Sequence, residues 1–337
     1  DYVTIRDLAI DSKAATGGTA ISIGDGADYF LIDNVTIVDS DSQGITIHGA
    51  PSLTGGIVQN CVILGADNNG IQIEMDGGSY SYHIKIINNH ITSCGSNGIY
   101  LSSSGTGNYY TTISGNTIVS CGANGMYLRE MYNGTVDSNV CMWNTQDGIE
   151  ISTAEFCSIN GNSFSKNVQH GISGVNTDFC VYDSNNLQGN DSGNSETYDG
   201  INLDASSVGV IISNNICYGN SVQRRGISND GMQAVITGNY CRDNDYNGIY
   251  CNATDCTISN NRLYDNSQAG AGGYDEMYLD SGADRANISN NTIGSPGNSS
   301  ESCIYAASGT HDLLIQGNWL NDGMGSGIEL AGNQNCN

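Results

Sequence analysis

Four ionisable side chains occupy one recurring position in the middle of this 337-residue sequence: Asp147, His170, Asp199 and Arg225 each stand immediately before a glycine. Two carboxyl groups on either side of an imidazole are equipped for proton transfer. One can protonate a leaving oxygen while the other activates water, and a neighbouring histidine shifts the balance between them. Glu150, two residues beyond Gly148, and Asp204, four beyond Gly200, form a substitute pair. Around these acids the same repeating phrase brings Arg129, Asn202, Asp230 and the tyrosines Tyr100, Tyr127 and Tyr250. Flat rings cover the C–H faces of sugars, and an arginine pairs in a fork with a carboxylate or sulfate. The candidate catalytic residues are therefore Asp147, Asp199, Glu150, Asp204 and His170. The candidate substrate-binding residues are Arg129, Arg225, Tyr100, Tyr127, Asn202, Asp230 and Tyr250.

What must position them is the phrase itself: glycine, apolar, variable, apolar. It reads GITI from Gly44, GIQI from Gly70, GIYL from Gly98, GMYL from Gly125 and GIEI from Gly148, and continues through GINL at Gly200 and GIYC at Gly248 to GIEL at Gly327. A second phrase, apolar-x-x-Asn-x-apolar, follows each first one, with asparagines at 60, 89, 116, 139, 162, 185, 215, 239, 261, 291 and 318. A third column, five residues on, reads Cys94, Cys121, Asn144, Asn167, Asn190, Asn220, Asn244 and Asn266. A four-residue strand alternates inward and outward side chains, and one coil alone is too small to bury its inward set. Stacked at ~4.8 Å, the coils bury them together and line equivalent residues up in ladders. Three columns in common register predict an all-β fold, a single-stranded right-handed parallel β-helix of about twelve coils forming one domain over residues 1–337. Asn at the corners suits left-handed backbone. On this count Asp147 and Asp199 lie two coils apart, with backbones about 9.6 Å from each other, the separation suited to inverting glycoside hydrolysis.

Composition narrows the partners. The chain carries 35 acidic against 10 basic residues, a net charge of −25. That balance excludes nucleic acid and anionic membrane surfaces as partners, since both are bound through Lys and Arg. No stretch approaches the ~20 apolar residues of a membrane-spanning helix, so no membrane insertion is expected. The 12 cysteines fall into the apolar columns and are expected as buried thiols, with Cys94 and Cys121 the one pair close enough in register to check for a bond. No zinc-type spacing is present, and no metal site or required cofactor is expected; Asp and Glu side chains leave a calcium ion as an option. Insertions at Asp76–Tyr82, Ser103–Tyr110, Gly189–Thr197 and Ala269–Gly273 lengthen turns that would wall a groove.

The GIYL and ISNNTI phrases resemble the carbohydrate-binding and sugar-hydrolase repeats of the pectate-lyase-like β-helix superfamily, and the acidic, Asn/Gly-rich texture is similar to that of archaeal disaggregatases. The resemblance covers nearly the whole chain. It implies an extracellular or cell-surface protein with a polysaccharide substrate. The expected activity is that of a glycoside hydrolase working through paired carboxylates. A polysaccharide lyase or uronan epimerase, with His170 or Arg225 as base, and a non-catalytic carbohydrate-binding adhesin or tailspike-like module are the alternatives.

Overall fold

A computed structural model describes residues 2–12, 17–25, 27–49, 52–268, 274–294, 302–321, 326–332 and 335–336. The insertion at Ala269–Gly273 lies outside these residues. The described residues form 39 strands and no helix. The chain packs as two compact units, Asp1–Ser163 and Phe164–Asn337.

In each unit the glycine phrase becomes a short strand paired in parallel with its own copy one coil away. In the first unit Ile45 pairs with Ile71, Ile71 with Ile99, Ile99 with Met126 and Met126 with Ile149. In the second the series runs Ile172, Ile201, Ile227, Ile249, Met277, Ile304 and Ile328. The architecture is the single-stranded right-handed parallel β-helix of about twelve coils that the periodicity predicts. One further copy, Ile21–Ile23, pairs with Ile45–Ile47 although no glycine precedes it. Inward positions such as Ile71, Ile73, Ile99 and Leu101 are fully buried. Each contributes about 1.5–3 kcal/mol by leaving water. All twelve cysteines, Cys94 and Cys121 among them, are free thiols, and eleven are buried.

The asparagine column is the polar spine. Asn116 donates its backbone N–H to Asn139 Oδ1 at 2.9 Å and its side-chain amide to Ile86 O at 2.8 Å. Its own Oδ1 accepts the backbone N–H of Asn89 at 3.0 Å. Each coil's corner N–H is thus satisfied by the next coil's side chain. Two assignments by spacing are displaced, one by a single residue and one by three. Cys61, not Asn60, holds the ladder position, and donates its N–H to Asn89 Oδ1. Asn60 is instead the left-handed corner residue, with φ 55°, as Asn88, Ser138 and Asn214 are in other coils. The left-handed residue therefore precedes the ladder asparagine. In the third column Asn220 is exposed and the place belongs to Gln223, which bridges Asn190 and Asn244.

The phrase glycines are required by close approach. A Cβ on Gly98 would lie 2.7 Å from the carbonyl oxygen of Gly125, and one on Gly200 would lie 2.6 Å from that of Gly226. Glu276 stands where the phrase would have its glycine, and ends the third ladder. It accepts the backbone and side-chain N–H groups of Asn266 at 3.0 and 2.5 Å. It is fully buried, and burial pushes its carboxyl up to about 8, against the pull of these two hydrogen bonds.

Two outcomes follow. Asn116→Ala leaves the N–H of Asn89 and the carbonyl of Ile86 unpaired in the interior, and should cost about 2–6 kcal/mol in urea unfolding, since each orphaned group costs about 1–3 kcal/mol. For Glu276 the folded state holds a proton that the unfolded state releases, so its contribution to stability is present below about pH 4.5 and is lost as pH rises toward about 8. Glu276→Gln should flatten that fall in a series of unfolding midpoints between those limits.

Candidate functional site

In the first unit the column immediately before the glycine is not a groove. The strands begin after the glycine, at Ile71, Ile99, Met126 or Ile201, so inward–outward alternation does not extend back to it. Its side chains point along the stack and form another ladder. Asn97 N–H donates to Asn69 Oδ1 at 3.0 Å, Asn124 N–H to Asn97 Oδ1 at 3.1 Å and Asp147 N–H to Asn124 Oδ1 at 2.9 Å. Asp147 is only 5% exposed. The expected pair is also divided, with Asp147 in the first unit and Asp199 in the second.

Asp199 is fully buried and gripped bidentately by Arg224, whose Nε and Nη2 donate to its two oxygens at 2.9 and 2.6 Å. Its backbone N–H donates to His170 Nδ1 at 2.9 Å. Burial lowers the His170 pKa, the neutral form that this acceptor role requires. The reading of Asp199 as an exposed groove carboxylate therefore gives way to that of a structural ion pair. Asp204 likewise ties a turn, accepting Asn176 N–H and Ser207 Oγ–H, both at 2.9 Å. The two long loops are held by acids that the sequence reading passed over. Asp191 accepts from the N–H groups of Ser195, Thr197 and Tyr198, and Glu130 accepts from Ser103 Oγ and Gly105 N–H.

The outward column within the strands is where the sequence placed it. In the first unit Tyr100 pairs with Tyr127 and Tyr127 with Glu150. The two rings stack at 5.3 Å and 8°. Glu150 accepts Asn124 Nδ2–H at 3.1 Å, and burial raises its pKa. Arg129 is exposed, 3.8 Å from Glu130.

In the second unit the same column runs Ser173, Asn202, Ser228, Tyr250, Tyr278 and Tyr305. Here Arg225 breaks the ladder pattern. Its guanidinium lies 3.7 Å over the Tyr250 ring and reaches Ser228 Oγ at 3.3 Å, while its Nε has no partner. Burial lowers its pKa. The Tyr250 hydroxyl donates to Asp280 Oδ2 at 2.6 Å, and burial, then that bond, raises the phenol. Asp230 stands in the same column as Asp280, two coils before it, and its pKa is raised by burial. Arg225, Asn247, Tyr250, Tyr274, Tyr278 and Asp280 line a cleft of about 330 Å³. Tyr274 stacks on Tyr246 at 3.6 Å, and Tyr246 donates to Glu196 Oε2 at 3.0 Å, forming the wall. Of the predicted residues, Arg225 and Tyr250 meet in this cleft with Asp230 beside them. Asn247, Tyr274 and Asp280 were missed. Tyr198, Tyr246 and Tyr274 all sit two residues before a phrase start, a column that could have marked the wall.

Two family models match the chain: one described as periplasmic copper-binding protein (NosD) over residues 31–197, and one described as right handed beta helix region over residues 199–337. No curated protein matches the sequence. The fold is similar to that of Dettilon tailspike protein gp208, at 16% identity and a TM-score of 0.59 over 91% of this chain and 62% of that one. It is also similar to the periplasmic alginate epimerase AlgG, at 15% and 0.60 over 97% and 84%. An alginate lyase from Paenibacillus sp. matches at 12% and 0.52 over 79% and 92%. This chain spans 62% of the tailspike's length. The fold is that of the right-handed parallel β-helices, and residues 199–337 match the model described for that region. Copper, named in the first description, finds no fit: among the described residues no three His, Cys, Asp or Glu side chains group to hold a metal ion.

Asp199→Asn should lower stability by roughly 2–4 kcal/mol in chemical unfolding, because it leaves the Arg224 guanidinium facing a neutral amide where a buried charge pair stood. An unchanged unfolding midpoint would return Asp199 to the list of free groove acids.

Proposed function

We propose that this chain is an enzyme acting on an acidic, uronate-containing polysaccharide, with the Arg225–Tyr250–Asp280 cleft as its reaction centre. The observation that carries the reading is Arg225: a guanidinium flattened on a tyrosine ring, with an unpaired Nε, beside a hydroxyl–carboxyl couple. In a chain of net charge −25, such a cation is a local receptor for a sugar carboxylate. The fold likeness to an alginate epimerase and an alginate lyase supports the same substrate class. The words periplasmic in two of the matched descriptions support a location outside the cytoplasm.

The chemistry best suited to the cleft is proton abstraction beside that carboxylate. Arg225 neutralises the carboxylate and so acidifies the adjoining C5–H. Asp230, made more basic by burial, takes the proton. The raised pKa of Tyr250 keeps its phenol protonated, oriented by Asp280, to protonate the departing glycosidic oxygen as C4–O breaks and the C4–C5 double bond forms. Return of a proton to the opposite face of C5, without C–O cleavage, gives epimerisation instead. This route needs no metal, and a chelator, which tests the optional calcium ion, is expected to leave the rate unchanged.

Hydrolysis is the second reading, favoured by one observation: Asp230 and Asp280 share a column two coils apart, with backbones about 9.6 Å from each other, near the inverting separation. The Asp230 carboxyl, raised by burial, would be the acid.

Incubation with uronate polymers separates the outcomes. New reducing ends with unsaturated-uronate absorbance mean elimination, reducing ends alone mean hydrolysis, and altered C5 configuration without new ends means epimerisation. None of the three would leave a binding module. Tyr250→Phe should cut kcat by about 10²-fold or more, and Arg225→Ala should reduce kcat/KM on acidic but not on carboxyl-reduced polymer.

A further inference from the structure

A second cleft lies in the second unit, on the sheet built from the asparagine phrases. The outward column there runs Tyr240, Arg262, Thr292 and Trp319, and beside it Arg242 pairs with Tyr264. Tyr264 and Trp319 wall a space of about 140 Å³ over Thr292 and Gly294, with Arg262 at its head. Both rings are exposed, Trp319 by 67%. The floor depends on Gly294, because a side chain there would collide with the Tyr264 ring. Arg242 is neutralised by Asp243 at 2.9 Å. Arg262 makes no ion pair among the described residues; it is exposed, with its guanidinium 5.3 Å over the Tyr240 ring.

We propose that this cleft is a second saccharide-binding site, taking a single acidic sugar residue of the polymer. The two rings cover the C–H surface of one pyranose, and Arg262 takes its carboxylate in a fork. The floor and walls suit one sugar and no longer segment. The choice of an acidic residue rests on charge, since an unneutralised arginine in a chain of 35 acids and 10 bases attracts an anion at that spot. The site shares no residue with the Arg225 cleft, so it binds the polymer without acting on it and raises the residence of a long chain at the protein through two-point attachment.

The chain has two tryptophans, Trp143 and Trp319. In Trp143→Phe the remaining emission reports on this cleft alone. Adding Tyr250→Phe slows consumption of the probe. Short oligomers of mannuronate or galacturonate should then change Trp319 emission saturably. Arg262→Ala in the same background should weaken that response about tenfold, and carboxyl-reduced oligomers should match the weakened response. In the otherwise unaltered enzyme, Arg262→Ala should leave turnover of a short substrate unchanged while raising KM for long polymer. Circular dichroism verifies that each variant is folded. Unchanged Trp319 emission with either oligomer would overturn the site. An equal response to acidic and neutral oligomers, insensitive to Arg262→Ala, would overturn the assignment of an acidic sugar. Turnover by the Trp143→Phe enzyme is a separate readout, so failure of this site and failure of the reaction centre are told apart.

Discussion

Everything in this molecule depends on how closely one coil can lie on the next. The approach is limited at the phrase glycine, where the neighbouring carbonyl would stand 2.7 Å from any Cβ at Gly98. With that contact made, the parallel backbone bonds form, the isoleucine ladders close, and corner N–H groups meet asparagine oxygens at about the same spacing in successive coils. Neither the apolar nor the polar part of the interior would assemble alone. An aliphatic ladder without the asparagines would bury unpaired corner N–H groups, and the asparagines without the close approach would not reach.

The same stacking makes function a matter of departures from the repeat. A side chain that satisfies the coil beside it, as Asn97 or Asp199 does, is already engaged in the stack and turned away from a ligand. Arg225 occupies a ladder position yet accepts nothing, so the ladder is interrupted and its side chain turns to the tyrosines of the outward column. The cleft arises from that interruption together with the Tyr246–Tyr274 wall.

The sequence displayed the fold well because parallel pairing requires like beside like, and the phrase therefore repeats wherever a strand is needed. It displayed the outward column equally well, since alternation is strict within a strand: Tyr100, Tyr127 and Glu150 are neighbours as counted. It failed one residue outside the strand. Asp147, His170 and Asp199 were counted outward by extending the alternation past the glycine, where the chain is already turning. Asn60 and Asn220 misled for a related reason. Asparagine serves both the left-handed corner and the ladder next to it, and residue type alone does not say which. Asp280 and Tyr274 escaped because their importance comes from a hydroxyl bond and a ring stack between coils.

A chain made of near-identical coils has many almost equivalent ways to pair, each displaced by one coil from the correct one. Most of the ladders here would accept such a slip at little cost, isoleucine for isoleucine and asparagine for asparagine. Glu276 would not. Its buried carboxyl needs the two donors of Asn266, and its side chain sits where the coil before it carries Gly248. Gln223 similarly spans a longer gap than an asparagine can. These irregular residues act as keys that fit one alignment, so the second unit carries within its repeats the marks by which its coils find their proper order.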